Sequence, residues 1–286
     1  MDSVVILLVM AGFSYLLYRI NSGLDYKWNF KVIPQYILRY DSETMSYTPN
    51  LLLEGLFTTI RLSVWGILLA SFIGVVMGLL RVSSSLFNRL AAQAYVEMTR
   101  NLPPIVLIFI FYYFVSDLIM PIIGVEEAVR HISPAYQNII AFFFAKPGFL
   151  PHFLSALFTL AVFEGAYITE IVRAGIQSID KGQWEASSAL GFTPAQQMIH
   201  VIWPQAFRLM VPPLGNQFIS TIKDSAIVSV ISIPELTFQG MEIMAATYLT
   251  FEVWIVVTLL YLILTLSLSF CVDRLEKRLK RKRTHL

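Results

Sequence analysis

Three ionisable residues stand within apolar stretches where charge is costly: Glu164, Lys223 and Asp224. At the centre of a membrane helix each costs about 2.5–3.5 kcal/mol on insertion scales, so such residues mark function. Two carboxylates and an ammonium at one depth complement a zwitterion. The acids suit a solute's amino group, and the lysine suits its carboxylate. Asn216 and Ser220 share a helical stripe with Lys223, and Gln217, Thr221 and Asp224 run beside them. Two rival readings stay open: small polar residues packing between helices, and a closed lysine–carboxylate pair that holds a bundle together.

Other chemistries find no support. The four histidines, His131, His152, His200 and His285, lack His-x-x-x-His spacing, and Cys271 is the single cysteine. That excludes an internal disulfide and a zinc site built on cysteine pairs. There is no Gly-x-Ser-x-Gly elbow, and no Gly-x-x-x-x-Gly-Lys-[Ser/Thr] phosphate loop, so the chain does not itself bind ATP that way. The expectation is no metal, no cofactor and no enzymatic activity.

The elements that position these residues must cross a membrane. Of 286 residues, 56% are hydrophobic and only 14% charged, and the mean hydropathy is +0.66. Soluble domains carry about 25% charged residues, so water-soluble, disordered and nucleic-acid-binding classes are excluded. A crossing helix needs about 20 mostly apolar residues. Six stretches approach this: Val4–Tyr18, Leu52–Leu80, Pro104–Ile123, Pro151–Val172, Val211–Ile233 and Glu252–Val272. The first is short, yet lacks the basic start and small-residue cleavage site of a signal peptide, and reads as an uncleaved span. Ile139–Ala145, closed by Lys146-Pro147-Gly148, is too short to cross and reads as interfacial.

Basic residues orient the chain. Arg81, Arg89 and Arg100 fall on the same side as Arg173, Lys181 and Arg208, and as the tail from Arg274 to Arg283. Cytoplasmic loops collect Lys and Arg, so this side is expected inside, although Asp2 and Arg19 around the first span point the other way. At about 1.5 Å per residue, Glu164 lies about 13 Å outward of Arg173, near the midplane. Arg61 falls at the outer interface. Glu170 can pair with Arg173 on one helix face.

The segment Ile179–Pro213 reads as two short helices meeting at Gly191. Gln183–Leu190 is a run of helix formers, and Gly191 suits a left-handed cap. Thr193 then acts as N-cap, Pro194 as first helical residue and Gln196 as capping-box partner, with the second helix expected to stop at Pro204. The product is a compact knob projecting from the membrane.

Residue identities go further. Glu185, Ala186, Ser187, Gly191, Val201, Trp203 and Pro204 occupy the positions of Glu-Ala-Ala, Gly and Ile-x-Leu-Pro, and so resemble the EAA motif of permease subunits of ATP-binding-cassette importers. The run Phe163–Ile179, with Lys181-Gly-Gln183, Pro204-Gln-Ala206 and Lys223-Asp224, is similar to the polar amino acid permeases, the histidine/glutamine/glutamate group. Tyr95–Pro103 resembles that group's Arg-Gly-Thr-Pro stretch, with Asn101-Leu102 in place of Gly-Thr. The family's Lys-Asp-Thr-Ser run is Lys-Asp-Ser-Ala at Lys223–Ala226. The likeness spans roughly Leu51 to Arg283 and leaves Met1–Asn50 outside.

The resemblance implies an all-α transmembrane fold: a type I ABC importer permease bundle of five core helices, here with an extra N-terminal transmembrane helix. The expected divisions are that helix at 1–20, an extracytoplasmic linker at 21–50, the permease domain at 51–273 with its coupling loop at 179–204, and a basic cytoplasmic tail at 274–286. It implies multi-pass residence in a bacterial plasma (inner) membrane with the C-terminus cytoplasmic. It also implies uptake of polar amino acids delivered by an extracytoplasmic amino-acid-binding protein. Cytoplasmic ABC ATPase subunits would bind ATP, and a second permease copy or a paralogue would complete the pore. No nucleic-acid partner is implied, and the basic tail would meet membrane lipid. Gly182, Gln183, Glu185, Ala186, Ser187, Gly191 and Pro204 are expected at the ATPase contact. Glu164, Lys223, Asp224, Asn216 and Ser220 are expected along the substrate path. The rival function is a secondary amino acid transporter independent of an ATPase.

Overall fold

A computed structural model describes residues 2–23, 26–43, 45–130 and 132–281. His131 and the tail beyond Arg281 lie outside the described residues. In chain order the helices are α1 (Asp2–Gly23), α2 (Pro34–Ile37), α3 (Leu51–Arg81), α4 (Leu86–Asn101), α5 (Pro104–Tyr113), α6 (Met120–Ile123), α7 (Val125–Arg130) and α8 (Pro134–Phe143). They continue as α9 (Leu150–Gln177), α10 (Lys181–Ala189), α11 (Pro194–Gln196), α12 (Trp203–Asp224), α13 (Leu236–Thr247) and α14 (Thr250–Arg281). Between α2 and α3, β1 (Leu38–Asp41) and β2 (Ser46–Pro49) pair antiparallel, with Tyr40 opposite Tyr47.

The bundle is organised on the seam between α3 and α9. Gly66, Ala70, Gly74 and Gly78 recur every four residues or nearly so and form the buried stripe of α3. A Cβ built on Gly74 would stand 2.4 Å from Ile168 Cγ2, and one on Gly78 would stand 2.6 Å from Val172 Cβ. In lipid, where tails are as apolar as leucine, close backbone approach is a main source of helix association. The same device places the other neighbours of α9. Tyr95 of α4 reaches over Gly165 to donate its hydroxyl proton to the Val162 carbonyl at 2.6 Å, and Met210 of α12 fills the space above Gly175.

Four described helices or helix runs are long and apolar enough to cross a membrane: Leu51–Arg81, Pro104–Ile123, Pro147–Gln177 and Thr250–Arg278. A fifth exists if Pro194–Ile231 and Leu236–Thr247, bent by 49° at their break, count as one span. The five predicted spans from Leu52 onward are thus found, with one correction, and the stretch expected as the first, Val4–Tyr18, lies within the helix α1. The stretch expected as a helix from Val211 to Ile233 begins far upstream and leaves α geometry at Asp224. A 3-10 turn follows over Ser225–Ile231, and Ser232 turns the chain at φ 60°. Glu235 then caps α13, accepting from the Thr237 and Phe238 amides at 2.9 and 2.7 Å and from the Tyr261 hydroxyl at 2.7 Å.

The second helix of the knob does not stop at Pro204 as expected. It runs from α11 through a π turn at Gln197–Ile202 directly into α12. A proline cannot donate to the carbonyl four residues back and its ring clashes there; the wider π turn gives that carbonyl room. A second π turn, Phe114–Ile119, precedes Pro121 of α6 in the same way.

Two further elements, α4 and the β1–β2 hairpin, were not foreseen. The Arg81–Arg100 stretch, read as a loop, contains the 16-residue α4, which buries only Ala92, Val96 and Thr99. The linker holds the β1–β2 hairpin, and the apolar piece at 139–145 straddles the end of α8. There Phe143 accepts a hydrogen bond from the Trp65 indole at 2.9 Å, and Phe144 stacks on the same ring.

Replacing Gly74 by valine should force α3 from α9, because the obstructing Ile168 atoms sit at a branched Cβ. We expect a loss of about 1–3 kcal/mol, read as a lowered thermal midpoint in detergent. Gly148→Ala meets nothing within 4 Å and should leave the midpoint nearly unchanged.

Candidate functional site: a buried carboxylate and its vestibule

Glu164 sits on α9 directly before Gly165, where α4 comes closest, and its side chain is fully buried. Gln217 of α12 donates its amide to Glu164 Oε2 at 2.7 Å. The other oxygen, Oε1, is buried and accepts from no described group. Buried polar atoms almost always have partners, and an orphaned one calls for an explanation. Asp224 and Thr221 lie against the same carboxylate. They share a helical face with Gln217 because residues 217, 221 and 224 fall at i, i+4 and i+7.

Of the five residues predicted for the path, the structure brings Glu164 and Asp224 together. Lys223, Asn216 and Ser220 occupy the neighbouring stripe of α12, about 100° away. Lys223 and Asn216 are exposed and Ser220 half-buried. Lys223 lies beside its sequence neighbour Asp224 rather than facing Glu164. The structure thus sets Glu164 against Asp224, with Lys223 beside Asp224.

The cation facing this region is Arg100, which sequence reasoning treated only as a topology charge. A cavity of about 480 Å³ runs along the α9–α12 seam, lined among others by Arg100, Tyr167, Glu170, Ser178, Pro213 and Gln217. The Arg100 guanidinium lies over the Tyr167 ring, 5.2 Å from its centroid. Tyr167 in turn lies within electrostatic reach of Glu164 and Asp224. Glu170, on the same wall, is already neutralised: Arg173 holds Oε2 at 2.7 Å and Arg81 holds Oε1 at 3.2 Å. The predicted Glu170–Arg173 pair is thus present, with Arg81 as an unforeseen third member. Arg100 thus stands on the cavity wall, while Glu164 and Asp224 lie outside its lining, behind Gln217, which lines the cavity and bonds Glu164.

Toward the end of the bundle where α10 projects, the knob forms as its spacing requires. Asp180 caps α10 by accepting from the Gly182 amide at 2.6 Å. Gly191 adopts φ +81°, a left-handed turn that glycine enters without cost. Thr193 and Gln196 close the capping box, with Gln196 Oε1 accepting from the Thr193 amide at 2.9 Å. Two straps then tie α10 to the following helix. Gln197 donates to the Ser188 hydroxyl at 2.6 Å, and Gln205 donates to Gln183 Oε1 at 3.1 Å.

Gly182, Gln183, Glu185, Ala186, Gly191 and Pro204 are all exposed. Ser187 is the exception: it is buried and bonds the Gln183 carbonyl at 2.8 Å, so it stiffens the knob from within. Two apolar residues were missed, Leu190 at 78% exposed and Ile199 at 61%. The signal for Leu190 was its place directly before the glycine cap, where a helix end turns outward.

Residues 66–281 match the family described as the inner membrane component of binding-protein-dependent transport systems. The chain is 33% identical over 232 residues to a probable glutamine ABC transporter permease protein, GlnM, of Bacillus subtilis (strain 168), covering 81% of this chain and 94% of that one. It is 35% identical over 230 residues to the glutamine transport system permease protein GlnP of Escherichia coli (strain K12), covering 80% and 93%. Among solved structures, an amino acid ABC transporter crystallised with histidines aligns at a TM-score of 0.66 with 30% identity, over 88% of this chain and all of that one. The MetNI methionine ABC transporter, inward facing, shares the fold at a TM-score of 0.61 and 21% identity, over 80% and 96%.

Gln217→Leu removes the 2.7 Å hydrogen bond to Glu164 Oε2. Stranding a buried acceptor costs about 1–3 kcal/mol, so the thermal midpoint of the reconstituted protein should fall. Gln217→Glu, which keeps the shape but not the donor, should fall further.

Proposed function

Because the chain belongs to the family of inner membrane components of binding-protein-dependent transport systems, we propose that it forms the pore of an ATP-driven importer of polar amino acids. Its relatives named as glutamine transport permeases support that substrate class. The observation that carries the reading is the orphaned Oε1 of Glu164. An acceptor held dry and unpaired beside a second carboxylate is prepared for a cation that arrives, and a substrate ammonium is such a cation. Arg100, over Tyr167 on the wall of the cavity that Gln217 also lines, takes the carboxylate, the role first expected of Lys223. Gln217 links the two ends.

The knob is the mechanical counterpart. Its caps and straps make it stiff, and a stiff element transmits a push where a loose loop absorbs it. In this reading the knob end and the basic tail are cytoplasmic, and a separate ATPase subunit seats on Glu185, Ala186 and the apolar Leu190. A binding protein delivers the solute at the opposite end. A second copy of this chain, or a related one, completes the pore.

Glu164→Gln keeps the shape and an acceptor but removes the charge. In the assembled transporter with its binding protein, half-saturation for uptake should rise about tenfold or more, the equivalent of about 1.4 kcal/mol, and substrate-stimulated ATP hydrolysis should fall with it. Unchanged uptake together with a changed thermal midpoint would assign Glu164 to bundle packing instead.

Glu185→Arg should abolish co-purification of the ATPase while leaving the thermal midpoint of the permease unaltered, since Glu185 is exposed. Retention of the ATPase with normal transport would remove the knob from the coupling role.

A further inference from the structure

The segment after α1 precedes the family match at residue 66, yet it is tightly built. Tyr26 donates its hydroxyl proton to Glu252, and the Asn29 amide donates to Glu252 Oε1 at 2.7 Å. Glu252, in the first turn of α14, is fully buried by these contacts. The tether sets four aromatic rings against one another. Tyr26 meets Trp28 edge-on at 5.1 Å and Phe251 at 5.0 Å, and Trp28 stacks on Phe30 at 5.7 Å with planes 4° apart.

This fixed raft is not a core. Trp28 is 48% exposed, and Phe30 and Phe251 are each 45% exposed. Lys27 and Lys31 are exposed beside it, and from Tyr26 to Tyr40 there are three cations and no acidic residue. The depth of the raft follows from what holds it. Glu252 is two residues from the start of Thr250–Arg278, an apolar span that the chain itself scarcely covers. A helix of that length exceeds the hydrocarbon thickness of about 30 Å, so its first turn stands in the headgroup layer. Aromatic rings concentrate at that layer, and clustered lysines there meet lipid phosphate.

We propose that Tyr26, Trp28, Phe30 and Phe251 form an interfacial anchor seated among the headgroups of the membrane that α14 crosses, with Lys27 and Lys31 contacting the phosphates of anionic phospholipid. Glu252 is the clamp that joins this anchor to the span. The arrangement pins the outer turn of a span that the chain itself scarcely covers.

The test uses the assembled transporter in vesicles of phosphatidylethanolamine and phosphatidylglycerol. The chain has five tryptophans, so the contribution of Trp28 is taken as the difference between the parent and Trp28→Phe, a change that keeps an aromatic ring. Lipids brominated near the glycerol should quench that contribution about twofold more than lipids brominated at the chain end, as befits a headgroup-layer ring. Exchanging phosphatidylglycerol for phosphatidylcholine, or introducing Lys27→Gln with Lys31→Gln, should reduce the shallow quenching. Quenching by aqueous iodide with no effect of either bromolipid would overturn the anchor in favour of a water-facing surface. No quenching by any of the three would overturn it in favour of protein cover. Shallow quenching indifferent to both lysines and anionic lipid would overturn the phosphate contact.

Discussion

The structure depends on how near two backbones can come. Along α3 the residues facing α9 are glycine or alanine at nearly every turn, and the branched side chains of Ile168 and Val172 occupy the space that those residues leave. Within a bilayer, burial of apolar surface offers little to hold helices together, because lipid solvates it equally well. Close contact must supply the attraction, and dispersion rewards it only at short range. The central pair fixes where α9 stands, and α9 carries Glu164, Tyr167, Glu170 and Arg173 on successive turns. Every polar group of the vestibule is therefore placed, at one remove, by a stripe with no polar side chain in its central stretch.

That placement explains how a carboxylate with an unpaired oxygen is tolerated. The cost of burying it is met by the surrounding contacts: Tyr95 anchors α4 beside it, and Met210 locks α12 against Gly175. The other acids of the bundle differ in kind. Glu235 and Glu252 receive hydrogen bonds on both oxygens from helix-start or linker amides and from tyrosines. Glu170 is pinned between two arginines. Of the three fully buried glutamates, Glu235 and Glu252 are satisfied on both oxygens, and Glu164 alone keeps one oxygen without a described partner.

Much of this was legible in the residues. The spans appeared as apolar runs of sufficient length, and the knob was readable cap by cap, since Asp180, Gly191, Thr193 and Gln196 each have a local reason for their type. Glu164 and Asp224 stood out because charge at that depth is expensive. What escaped was what local pattern does not encode. Lys223 and Asp224 are adjacent, so sequence placed them in one cluster, whereas helical phase turns only the aspartate toward α9. Arg100 lay in a stretch that counted as a loop, because α4 is polar over most of its surface and its three small buried residues leave a weak periodic signal. Pro204 read as a terminator, because the carbonyl room provided by a π turn is invisible until the chain is seen coiled.

That π turn carries a wider implication. A helix that widens over Gln197–Ile202 carries roughly one residue more than an α-helix of the same rise, so everything beyond it is rotated with respect to the knob. The Gln217–Thr221–Asp224 stripe meets Glu164 only at that azimuth. Were the coil to close to ordinary pitch there without losing a residue, the stripe would swing by about 100°, pointing Asn216 and its companions inward instead. The composition of the pore lining is thus written partly outside the pore, in a bookkeeping residue some twenty positions away.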